Sequence, residues 1–258
     1  MKTTTEAHNR KRFTTIWNEL RSSQKRSRTA PPYSKYFNRP LGRIFAVVAF
    51  QLGMSPNQVT YVSAAFTFGG ILVLALAPAT VATGIIVAVT LVLGYALDSS
   101  DGQVARLQGK SSAVGEWLDH MIDSVKISSI HLAVLCTFYW HFELSHPALL
   151  LVPIVFTIVQ TVHFFGMILV DLLVREHTAG RAAGQHTSGA SPVDPATRTA
   201  RLTTWAKLPI DYGFLCIAFL LLGAHTLFVA IYTTLAIAWL GYLLLVVRKW
   251  QRDVAALD

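Results

Sequence analysis

From residue 57 onward the chain is a succession of long apolar runs separated by short polar breaks. A helix needs about 20 largely apolar residues to cross a bilayer. Runs of that kind fall at 57–77, 81–104, 113–140, 147–173, 208–223 and 224–247. The fifth is the shortest, and it contains Asp211. The pattern predicts an all-α integral membrane protein, a six-transmembrane-helix bundle occupying residues 53–258. Residues 1–52 hold no run of spanning length and predict a cytoplasmic basic arm with interfacial, juxtamembrane helices. Within the arm, Phe13, Ile16, Trp17 and Leu20 have the spacing of one helical face among basic residues, an amphipathic helix for a membrane surface. Residues 31–39 begin with a Pro-Pro pair and read as a linker. Pro40 is placed to open a second short, interfacial helix. Ser55 is the expected N-cap of the first span, with Pro56 in its first turn. Residues 177–200 are small, polar and Pro/Gly-containing, and predict a flexible cytoplasmic loop.

The composition agrees, since 53% hydrophobic and 14% charged residues leave too few charges for an ordinary soluble domain. The net charge of +8 is unevenly held: residues 1–43 carry +9 and the remainder −1. Beside a membrane domain such an arm suits anionic lipid better than nucleic acid. The connections at 77–82, 141–147 and 222–226 contain no Lys or Arg. The other side carries Arg106, Lys110, Arg175, Arg181, Arg198, Arg201, Lys207, Arg248, Lys249 and Arg252. The positive-inside rule makes that side, and with it both termini, cytoplasmic. Cys136 and Cys216 fall inside spans without a CxxC neighbour and read as buried thiols. His131, Gln160 and His163 read as polar residues of the bundle interior.

Against this background, residues 97–126 stand out, because Asp98, Asp101, Asp119 and Asp123 all fall there. A carboxylate inside a membrane helix costs about 2.5–3.5 kcal/mol on insertion scales. Asp98 and Asp101 are i, i+3 at the end of the second span, while Gly115, Asp119 and Asp123 recur every four residues at the start of the third. A connection near 107–112 brings the two acidic faces together. Two nearby bases, Arg106 and Lys126, do not neutralise four acids. Divalent cations do, because hard ions such as Mg²⁺, Mn²⁺ or Ca²⁺ take several carboxylate oxygens and two ions about 4 Å apart share bridging carboxylates. Gly102, Ala105 and Gly115 leave room beside the acids, and Arg106 offers a bidentate phosphate donor. Acids, metals, small residues and an Arg describe a pyrophosphate site. Two other classes remain open on these residues alone: a membrane cation transporter, since acids within spans mark ion paths, and a membrane scaffold. Turnover of a pyrophosphate substrate separates an enzyme from both.

The spacing Asp98-x2-Asp101-Gly102-x2-Ala105-Arg106-x8-Gly115-x3-Asp119-x3-Asp123 resembles the complete signature of the CDP-alcohol phosphotransferase (CDP-alcohol phosphatidyltransferase) family. Pro56-Asn57-x2-Thr60 is similar to that family's donor-binding turn. The resemblance implies six membrane helices and a transferase of phospholipid biosynthesis. Its active site would face the cytoplasm, in a prokaryotic cytoplasmic membrane. It implies that Asp98, Asp101 and Asp119 bind one metal and Asp98, Asp119 and Asp123 a second, the two being Mg²⁺ or Mn²⁺, with Ca²⁺ substituting or inhibiting. Asp123 would also be the general base. Asn57, Thr60, Gly102, Ala105, Arg106, Ser112 and Gly115 would line the CDP-donor pocket. The donor would be CDP-diacylglycerol and the second substrate a small or lipid alcohol, with CMP released; the alternative is a soluble CDP-alcohol whose headgroup passes to a lipid alcohol. The family's habit implies a homodimer. Lys126, Arg175 and Asp211 are the candidate acceptor-binding residues, the two bases suiting an anionic acceptor.

Overall fold

The computed structural model describes Trp17, Leu20 and residues 31–184 and 210–257. Every regular element among these residues is helical. A π-helical turn, Ser34–Asn38, runs straight into α1 (Arg39–Gln51). There follow α2 (Pro56–Leu76), α3 (Val81–Gln108), α4 (Ala113–His141), a 3-10 turn at Pro147–Leu150, and α5 (Leu151–Gly184). After the undescribed stretch come α6 (Tyr212–Ala218), a 3-10 turn at Phe219–Leu221, and α7 (His225–Ala255). Five of these helices, α2 to α5 and α7, are long and apolar enough to cross a membrane. The protein is an all-helical membrane protein.

The start of α2 follows the sequence closely. Ser55 Oγ accepts from the Gln58 amide at 3.3 Å, Gln58 Oε1 accepts from the Ser55 amide at 2.8 Å, and Pro56 occupies the first turn. This capping box satisfies two donors that a helix start leaves open. Small residues then let α2 and α3 lie close together. Neither Gly70, against Thr90, nor Gly94, against Thr67, has space for a Cβ, and Ser63 Oγ donates to the Gly94 carbonyl at 2.8 Å. Such contacts supply the packing and hydrogen bonds that hold helices together in lipid. The third span joins through Thr137, whose hydroxyl donates to the Leu74 carbonyl at 2.7 Å. The core between α4, α5 and α7 is aromatic, with Phe138, Phe156, Phe228 and Tyr232 all buried. His131 lies inside it, its Nδ1 at 2.7 Å from Tyr232 Oη and its ring stacked on Phe156. Gln160 is buried and His163 is ringed by Trp239, Tyr242 and Trp250. Cys136 and Cys216 are free thiols.

Three expectations change. The stretch 31–39 is helix from Pro32 onward rather than linker. Pro32 sits in the first turn, where a missing N–H costs nothing. The Ser34 amide donates to Asp211 Oδ2 at 3.1 Å, and the Tyr33 ring lies directly on Gly213, where any Cβ would collide with it. Second, α1 packs on the protein. Gly42 meets Ser99 of α3 so closely that no Cβ fits, and Arg43, Ala46 and Val47 are buried. Of the amphipathic face in the arm, Phe13 and Ile16 lie outside the described residues. Leu20 is buried in a cluster with Val47, Val59 and Val104, and Trp17 lies 4.7 Å from the Arg43 guanidinium. Third, α5 continues through Gly184, so the start of the expected loop 177–200 is helical; residues 185–200 lie outside the described residues.

The fifth apolar run, 208–223, is a shorter element than a span among the described residues. Asp211 caps α6, accepting from the Gly213 amide at 3.2 Å, and the helix tightens to 3-10 geometry by Leu221. Ten residues, Tyr212–Leu221, rise about 15 Å, half of a hydrocarbon core of about 30 Å. Residues 208 and 209 lie outside the described residues.

Candidate active site

The acidic faces meet because the turn between α3 and α4 is short and firmly made. Gly109 ends α3 at φ +62°, a left-handed conformation that glycine adopts without cost. The Gly109 amide donates to Arg106 O at 3.3 Å and the Lys110 amide to Ala105 O at 2.9 Å, the paired bonds of a Schellman ending. Ser112 then caps α4, its Oγ accepting from the Gly115 amide at 3.1 Å. Gly115 approaches α2, since a Cβ there would stand 3.4 Å from Asn57 Oδ1.

The four aspartates form two layers. Nearer the turn, Asp101 and Asp119 line a cavity of about 610 Å³. Asp101 is held by neutral donors: Thr60 Oγ1 gives a bond of 2.6 Å to its Oδ2, and the Gly102 amide gives one to its Oδ1. One turn further along each helix, Asp98 and Asp123 hold Lys126, whose Nζ lies 2.5 Å from Asp98 Oδ1 and 2.7 Å from Asp123 Oδ1. Asp98, Asp119 and Asp123 bring one carboxylate oxygen each to within 4.8 Å of one another. An all-oxygen, anionic donor set of this kind fits a hard divalent cation, so the residues present suit the metals that the sequence implies.

All of the residues expected to hold the donor, Asn57, Thr60, Gly102, Ala105, Arg106, Ser112 and Gly115, surround this one cavity. The helix starts at Pro56 and Ala113 also open onto it, and helix N-termini favour anions. The Arg106 guanidinium lies over Gly102, where a Cβ would be 3.6 Å from its Nη1. The cavity adds Lys110, Ser111, Glu116 and His120, which the sequence reading had not assigned to it. Their signal was present: Ser112, Glu116 and His120 recur every four residues and share the face beside Gly115 and Asp119.

The three acceptor candidates are not gathered around the cavity. Lys126 is buried between two acids. Arg175 is exposed and bridges Asp171 at 2.6 Å and Glu116 at 3.1 Å, the first being the i, i+4 pair its spacing suggests. Asp211 is 2% exposed and accepts from the Ser34 and Gly213 amides, a capping and tethering role.

The model of the CDP-alcohol phosphatidyltransferase family matches residues 53–248, most of the chain. The protein belongs to the CDP-alcohol phosphatidyltransferase family. Among solved structures it is similar to that of Mycobacterium tuberculosis phosphatidylinositol phosphate synthase (PgsA1) in complex with manganese and citrate, at 15% identity and a TM-score of 0.48, over 84% of this chain and 88% of that one. It is similar to PgsA1 with CDP-DAG bound at 15% identity and a TM-score of 0.46, over 83% and 93% of the two chains. No curated protein matches its sequence. As a CDP-alcohol phosphatidyltransferase it is a membrane transferase of phospholipid biosynthesis, with the acid cluster and the cavity in the matched region.

Proposed function

We propose that this phosphatidyltransferase moves the phosphatidyl group of CDP-diacylglycerol to an acceptor alcohol and releases CMP. The observation that carries this reading is the cavity at the α3–α4 turn, where every expected donor residue meets Asp101 and Asp119. Asp98, Asp101 and Asp119 would hold one divalent ion and Asp98, Asp119 and Asp123 a second, Mg²⁺ or Mn²⁺. The chemistry such ions supply when bound is neutralisation of the pyrophosphate and stabilisation of CMP as leaving group.

The chain's own residues then divide the work. Asn57, Thr60, Gly102, Ala105, Ser112 and Gly115 would seat the CDP moiety near the turn. Arg106 would fork onto its phosphate oxygens, with the helix starts at Pro56 and Ala113 adding partial positive charge. Asp123 stands one turn further along α4, beyond the cavity lining. That position suits an in-line displacement, in which the nucleophile enters on the side away from the leaving group. The acceptor hydroxyl would give its proton to Asp123 while its oxygen bonds to the distal phosphorus, and the bond from that phosphorus to the bridging oxygen breaks with its electrons leaving on CMP.

The basic turn residues Arg106 and Lys110 would place this site on the cytoplasmic side of the membrane, and the family resemblance implies a prokaryotic cell. Residues 1–52 would form the cytoplasmic arm and 53–258 the catalytic domain, a division supported by the family match beginning at residue 53. The test is CMP release in lipid vesicles with CDP-diacylglycerol, against CDP-linked soluble headgroups, across a panel of acceptor alcohols, with the lipid product identified by mass spectrometry. CMP released only with CDP-diacylglycerol is expected. Release only with a soluble CDP-headgroup and a lipid alcohol would reverse the assignment of donor and acceptor.

A further inference from the structure

We propose that Lys126 is a positioning residue that sets the order of metal loading. Its ammonium is the built-in counter-ion of Asp98 and Asp123, so a first divalent ion loads beside Asp101 and Asp119 and a second loads only by displacing Lys126. This inference rests on the metal reading of the acid cluster given above.

Lys126 divides the four acids unequally, although Asp119 lies close to both Asp98 and Asp123. Lys126 Nζ contacts Asp98 Oδ1 at 2.5 Å and Asp123 Oδ1 at 2.7 Å, with its side chain 7% exposed. A cation bridging Asp98 and Asp123 needs the carboxylates that the ammonium already holds. The layer nearer the turn has no such occupant. Asp101 has the Thr60 hydroxyl and the Gly102 amide, and among the described residues neither Asp101 nor Asp119 is in an ion pair. That layer also lines the cavity, where the proposed function seats the pyrophosphate.

Electrostatics then makes the two steps unequal. The first ion meets Asp101 and Asp119 with no cation in contact and shares only Asp98 with the ammonium. The second meets carboxylates partly neutralised by a unit positive charge, and must repel or move it. Moving it is costly because a buried ammonium that leaves its partners needs new ones. A competing charge at contact distance weakens the second step by about ten-fold or more. A simple structural brace between α3 and α4 would instead affect stability and leave the ratio of the two steps unchanged.

The experiment is a Mn²⁺ titration of the full chain in nanodiscs, followed by calorimetry and by electron paramagnetic resonance, which distinguishes lone from exchange-coupled Mn²⁺. The wild type is expected to bind two ions in separate steps, with the coupled signal appearing only in the second. Lys126→Gln is expected to tighten the second step by about ten-fold or more, so that the coupled signal appears early. Lys126→Met tests the same point with an apolar side chain of similar length, should the Gln variant fold poorly. Lys126→Arg keeps the charge and is expected to keep the steps apart. Two equal steps in the wild type, or an unchanged gap in both neutral variants, would overturn the role of Lys126 and leave the metal reading intact. No Mn²⁺ bound by wild type or variants would overturn the metal reading and this inference together.

Discussion

Asp123→Asn is expected to lower CMP release by about a hundred- to ten-thousand-fold, the range that a positioned general base contributes. Asparagine keeps the size of the side chain and loses its charge and its capacity to accept the proton. Asp123 lies outside the cavity lining, so the CDP donor should still bind, and thermal stability should change little because one ion-pair partner of Lys126, Asp98, is retained. Binding of a CDP-donor analogue, measured beside turnover, separates the outcomes. Near wild-type turnover removes Asp123 from the role of base. Loss of donor binding with turnover points instead to Asp123 acting chiefly as a metal ligand.

Chelation is expected to have an effect at least as large. EDTA should reduce CMP release to background, and added Mg²⁺ or Mn²⁺ should restore it. Four carboxylates face one another in this cluster with Lys126 in contact with two of them. Without divalent charge, the pyrophosphate would have to approach an excess of negative charge, which repels it. Activity that persists in EDTA would mean that Lys126, Arg106 and the helix starts alone neutralise the substrate. That outcome would remove metals from the reaction.

The acid cluster was legible in the sequence because it is local. A period of 3.6 residues places Asp98 with Asp101 and Asp119 with Asp123, and a turn of a few residues leaves two such faces no choice but to meet. The residues that the family resemblance implies for the donor all line the cavity beside that turn. What sequence periodicity does not carry is the partner of a long or capping side chain. Lys126 reads as a base on a helix, and only the approach of α3 gives it Asp98. Asp211 reads as a polar intrusion in an apolar run, yet it caps the start of that run's helix and ties it to Ser34, 177 positions away. Hydropathy counted 208–223 as a span because it measures composition, whereas the cap at Asp211 and the 3-10 tightening at Phe219–Leu221 decide the length. The packing of α1 was hidden likewise: Gly42 matters only because Ser99 of another helix lies against it.

The central claim is that the paired acidic faces of α3 and α4 hold divalent ions against the pyrophosphate of a CDP-linked lipid. The most direct measurement is pulsed electron paramagnetic resonance on the Mn²⁺-loaded protein in nanodiscs, with CDP-diacylglycerol added. Coupling of the bound Mn²⁺ to ³¹P is predicted on addition of the donor, in the wild type and not in Asp119→Asn. Protein-bound Mn²⁺ that shows no ³¹P coupling with saturating donor would contradict the account.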